Sequence, residues 1–155
     1  LWAEWWPMQG GEELHRGRAG LELSQFIPLY KPDVVLAIRG LGGVSLGAPA
    51  YSTNYRLGGI MLLRGYLSNR FRGHHYAAAT GELRFPIWSF VSGAAYGETG
   101  MVWLDEQDDP EEELAYVGGA GLRFGLPPDF LIKLRFDVGF GRDQWGIFFN
   151  FNEAF

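Results

Sequence analysis

Cysteine is absent from the 155 residues, so no disulfide framework holds this chain together. Histidine is scarce, with 3 in all, and His74 and His75 are adjacent. Neighbours on a strand point to opposite faces and no third ligand lies at a sensible spacing, so the pair does not read as a metal site. No uninterrupted apolar run approaches the roughly 18 residues of a membrane-spanning helix. The chain opens at Leu1 without a charged stretch and apolar segment, so no signal peptide is read and a mature product or an excised piece is expected. Basic charge is not in excess either: the net charge is −5, which gives no reason to expect nucleic acid as a partner. There is no P-loop, and no helix pattern follows Gly118-Gly119-Ala120-Gly121 to make it a dinucleotide loop. No Ser/His/Asp or Cys/His set can be placed. The chain is not expected to be an enzyme.

Glycine is abundant (23 residues), aromatics make up 16%, and the dominant signal is alternation with period two. Phe130, Ile132, Leu134, Phe136, Val138 and Phe140 form one unbroken apolar face, with Lys133, Arg135 and Asp137 on the other. That stretch matches the 9–11 residues with which a tilted strand crosses a bilayer. Similar patterns predict strands over 1–8, 14–28, 34–44, 74–85, 90–103, 114–125 and 145–155, and no convincing helix. Mean hydropathy near zero suggests a soluble protein, but alternating barrel strands average out in the same way. The apolar positions of these strands are assigned to lipid. Glu82, Arg84, Arg123, Lys133, Arg135 and Asp137 are assigned to the lumen, with Arg18, Glu22, Arg39 and Glu98 on the same face.

Short turns at 29–33, 86–89 and 126–129 are expected on one side, as periplasmic turns. The long loop 46–73, the acidic run 105–113 and the turns at 9–13 and 141–144 fall on the other, extracellular side. The acidic run lacks the D-x-D-x-D-G spacing of a calcium loop and reads as a solvated loop able to bridge loosely to lipopolysaccharide. The reading is one domain, 1–155, an all-β antiparallel up-and-down transmembrane β-barrel of about eight strands. A soluble sandwich or lipocalin-like barrel would also alternate. Against it stand the small residues of 77–81 and 93–100, which fill a core poorly.

Within the long loop lies Leu63-Arg64-Gly65-Tyr66, followed by a strand reading GELRFP and then by Gly97-Glu98-Thr99-Gly100 in AAYGETGMVW. These residues resemble the outer-membrane assembly and translocation superfamily of BamA, TamA, the two-partner secretion transporters and the bacterial surface antigens. Its VRGF/VRGY loop lies near the last strands of a membrane barrel. Its arginine docks on an acidic residue of the second strand after the loop. The resemblance therefore implies that Arg64 docks on Glu98, with Leu63 standing for valine and Glu98 for aspartate, and with Gly65, Tyr66 and Gly100 completing the motif. The ending, with Phe149, Phe151 and Phe155 alternating, resembles an outer-membrane sorting signal, interrupted by Glu153.

The resemblance implies a bacterial outer-membrane insertase or translocase that needs no nucleotide or cofactor. Its partners would be the bilayer, lipopolysaccharide, unfolded client polypeptides, and a second copy or the periplasmic domains of a longer chain. The alternative is a structural or channel-forming barrel that transports no polypeptide. Two closures compete. In one, residues 1–8 pair with 145–155 into an autonomous eight-strand barrel and the loop caps its mouth. In the other, the chain is half of a sixteen-strand barrel. The first is the expectation taken here.

Overall fold

A computed structural model describes residues 2–6, 16–30, 33–46, 54–104, 114–127 and 132–151. Among the described residues there are ten strands: β1 (Trp2–Trp6), β2 (Arg16–Tyr30), β3 (Val34–Leu46), β4 (Tyr55–Leu57), β5 (Phe71–Gly73), β6 (His75–Trp88), β7 (Val91–Trp103), β8 (Ala115–Gly125), β9 (Lys133–Gly141) and β10 (Trp145–Phe151). Eight of them form one sheet in the order β1-β2-β3-β6-β7-β8-β9-β10, with β4 and β5 paired separately. Every described pairing is antiparallel, as an up-and-down meander requires.

Register carries the alternation across the sheet. Arg39 pairs with Thr80, Thr80 with Glu98, and Glu98 with Val117, so these residues share one face. The faces are inverted relative to a soluble protein. On β9, Arg135 and Asp137 are 0% exposed while Phe140 is 59% exposed. Leu23, Ile38, Leu122, Phe136, Trp145 and Ile147 are also exposed, all on the face opposite the buried charges. Such a broad apolar surface does not persist in water, and it rules out the soluble sandwich.

Three expectations are corrected. First, among the described residues the sheet does not close on itself: β1 and β10 end a linear order and do not pair with each other. Second, the loop does not cap a mouth. It folds back against the polar face, and Arg64 is fully buried there. The two results share one cause, because an eight-strand interior is just wide enough for side chains and would not admit this loop. Third, the strand expected over 34–44 is longer, and the loop 46–73 contains two strands of its own. β3 runs to Leu46, and β4 and β5 close a small antiparallel ladder, Tyr55 with Gly73 and Leu57 with Phe71.

The turn expected at 86–89 is also displaced. β6 continues to Trp88, and the turn is Ser89-Phe90. A register shift between Pro86 and Trp88 absorbs the proline, which has no donor for the ladder, and Pro28 is absorbed in the same way before Tyr30. Phe130, Glu153, Phe155, the turn at 9–13 and the acidic run 105–113 lie outside the described residues.

Candidate functional site: a loop docked on buried charges

Local backbone geometry aims the loop inward. Gly58 (φ 104°) and Gly59 (φ 121°) adopt the left-handed region, and a Cβ on Gly58 would meet the Leu67 carbonyl oxygen. Leu63 adopts it too, at φ 56°, which costs a non-glycine residue roughly 1–2 kcal/mol. Tight packing offsets that strain: Leu63 is fully buried and packs with Leu57, Tyr66, Tyr96, Val102, Ala115 and Val117. The Gly65 and Tyr66 amides both donate to the Leu63 carbonyl, at 2.9 and 3.0 Å, closing a turn with Arg64 in it.

Arg64 meets three carboxylates on three strands. Its Nε donates to Glu98 Oε1 at 2.8 Å, and its backbone amide donates to Glu98 Oε2 at 2.6 Å. Its Nη1 donates to Asp137 Oδ2 at 3.0 Å. Nη1 also lies 2.8 Å from Glu82 Oε2, an ion pair poorly aligned as a hydrogen bond. The guanidinium stacks over Tyr96, 3.5 Å from the ring centroid. Burial opposes the charge, but Glu98, Glu82 and Asp137 outweigh it and raise the Arg64 pKa, so the group stays cationic.

The carboxylates are shared. Arg123 and Arg135 are direct cross-strand partners, an arrangement that repels by itself. Asp137 lies between them, accepting from Arg123 Nη1 at 2.6 Å through Oδ1 and lying 3.1 Å from Arg135 Nε through Oδ2. Glu82 accepts from Arg84 Nε at 2.8 Å and from Arg123 Nη2 at 3.4 Å. Charges this dry must be paired. Removing one partner of such a buried set costs about 3–5 kcal/mol.

Small residues make the seat. The Arg64 carbonyl lies where a Cβ on Gly139 would be, 1.2 Å from that position. Gly119 leaves room for the Tyr96 ring in the same way.

Of the residues expected from sequence, Leu63, Arg64, Gly65, Tyr66, Glu98 and Gly100 converge, and Glu82, Arg123, Arg135 and Asp137 join them. Arg84 is at the rim, and Lys133 lines an adjoining cavity of about 480 Å³ with Arg84, Arg123 and Asp33. Phe149 and Phe151 lie on the outer face, away from the site. Sequence reasoning did not place Tyr96, Gly119 or Gly139 in the site, and it read Glu82 and Asp137 as general lumen charges. Tyr96, Glu82 and Glu98 share even positions on adjacent strands, a parity signal that would have grouped them.

A family model of the Omp85 superfamily domain matches residues 4–155. The chain belongs to the Omp85 superfamily. Omp85 domains are outer-membrane-associated β-barrels whose members insert or translocate polypeptides without enzymatic chemistry. In that family setting the open sheet is consistent with part of a β-barrel, and the loop is docked on its polar face. A comparison with curated proteins gives no match.

Proposed function

We propose that this Omp85 domain is the loop-bearing wall of an insertase or exporter in the outer membrane of Gram-negative bacteria, handling unfolded client polypeptides without nucleotide or cofactor. The observation that carries the reading is a buried arginine loop latched to the wall beside an open sheet edge. Among the described residues, β10 pairs on one side only, with β9. Backbone groups cannot stay unpaired in hydrocarbon. That edge therefore takes a strand: further strands of a longer chain, a second copy, or, transiently, a client segment added by β-augmentation. The latch, Leu63 to Tyr66 with Glu98 and Gly100, keeps the loop inside while the edge works. The loop enters from the extracellular side, where lipopolysaccharide surrounds the wall, and periplasmic domains would bring clients to the opposite side.

The test is reconstitution of the protein in liposomes with an unfolded client barrel. Accelerated client folding that Arg64→Ala abolishes supports the reading. Ion conductance without accelerated folding points to a channel, and neither activity points to a structural barrel.

A further inference from the structure

The loop's grip extends beyond Arg64, and most of it falls on the two strands nearest the open edge. Arg135 Nη2 on β9 donates to the Ile60 carbonyl at 2.7 Å. Asn150 Nδ2 on β10 reaches Met61 Sδ at 3.9 Å. Arg64 holds Asp137 on β9, and its carbonyl rests on Gly139. Beyond β9, the amide of Arg142 donates to the Tyr66 hydroxyl at 3.0 Å, in the turn that leads into β10. That hydroxyl lies 3.5 Å from the Tyr116 carbonyl of β8, to which it donates. The Tyr66 ring covers Gly141, where a Cβ would meet ring carbon at 2.6 Å. Arg64 also grips Glu82 on β6 and Glu98 on β7. One short segment therefore spans the polar face from β6 to β10.

We infer that Tyr66 is a positioning residue: it ties the docked loop to the β9–β10 turn, so that the loop acts as a strut holding the edge hairpin in place. The inference rests on the proposed role of the β10 edge. β10 has a described neighbour on one side only, so contacts from the polar face are its second source of support. Tyr66 is 3% exposed, and its hydroxyl meets an amide that no sheet ladder pairs. Lifting the loop breaks this contact and frees the turn. Loop seating and edge geometry then change together, and the readiness of β10 to take a strand follows the loop.

The experiment is residue-resolved hydrogen exchange on the intact protein in nanodiscs, comparing the parent with Tyr66→Phe and Tyr66→Ala. Tyr66→Phe keeps the ring and loses only the hydroxyl, so the fold is retained. The expected result is exchange about fivefold to tenfold faster at Arg142 and across β10, the change expected from one lost hydrogen bond. Tyr66→Ala gives a larger change at the same places, and in Tyr66→Phe, which keeps the ring packed against Tyr96 and Val102, β6 and β7 keep parental rates. Unchanged exchange in β10, or equal acceleration in β6 and β7, overturns the strut. Client folding measured on the same samples separates the two ideas. A loosened edge with unaltered client folding leaves the strut standing and counts against the insertase reading. An unaltered edge with active client folding does the reverse.

Discussion

Gly139→Ala tests the seat of the loop without touching a charge. The added methyl would lie 1.2 Å from the Arg64 carbonyl oxygen, where ordinary contact begins near 3.4 Å. Backbone faces backbone there, so no side-chain rotation relieves the overlap, and the loop must lift by about 2 Å. Arg64 holds Glu98 and Asp137 at 2.6–3.0 Å, and a shift of that size carries these bonds past hydrogen-bonding range. Each charge-assisted bond contributes about 1.5–3 kcal/mol. Partial relaxation recovers some of this, so a net loss of about 3 kcal/mol is expected. At 1.4 kcal/mol per factor of ten, the undocked population then rises about a hundredfold. Trypsin reads that population directly, because Arg64 is fully buried when docked and the Arg64-Gly65 bond is then protected. Cleavage at this bond should be slow in the parent and about a hundredfold faster in Gly139→Ala. Gly97→Ala is the control, since nothing lies within 4 Å of its added methyl. Parental cleavage in Gly139→Ala, or equal acceleration in the control, would refute the reasoning.

Asp137→Asn removes the carboxylate between Arg123 and Arg135 and leaves Glu82 alone to bridge Arg123 and Arg64, so the cluster should lose about 3–5 kcal/mol, read by thermal unfolding in detergent. Restoring charge balance with Arg135→Gln on that background should recover part of the loss. Phe136→Arg places a charge on the outer face and should destabilise the protein by roughly 2–4 kcal/mol in lipid, measured by denaturant titration of liposome-inserted protein. A negligible effect there would contradict the membrane assignment. Cysteines placed at Ala3 and Phe151 should fail to form an intramolecular disulfide, because β1 and β10 are opposite ends of the sheet; efficient closure within one chain would contradict the open order.

Much of the wall was legible because its period is two and its register keeps one parity from β2 to β10. Arg39, Thr80, Glu98 and Asp137 fall on one face however the strand ends are drawn. Strand ends at Pro28 and Pro86 were less legible: a proline signals a turn locally, but an edge-of-strand bulge absorbs it equally well. Closure was not legible at all. Alternation gives each strand two faces but carries no term for how many neighbours the sheet acquires, and the loop's final position depends on that number. The site was half legible. Arg64 and Glu98 were paired through the motif they resemble. Asp137 was hidden by its distance along the chain, 73 residues from Arg64, and the glycine seat by the abundance of glycine, since nothing in the sequence separates Gly139 from Gly97 or Gly118, which have open space around them.

The central claim is that a buried Arg64–Glu98 pair latches the loop to the wall. A double-mutant cycle of Arg64→Ala and Glu98→Ala, read as unfolding free energy in detergent micelles, tests it most directly. Arg64→Ala leaves the buried Glu98 without its arginine, and Glu98→Ala leaves Arg64 held by Glu82 and Asp137 alone, whereas the double change removes both charges of the pair. The account predicts a coupling above about 1.5 kcal/mol, with the double variant less impaired than the sum of the singles. Effects that add to within about 0.5 kcal/mol would contradict it.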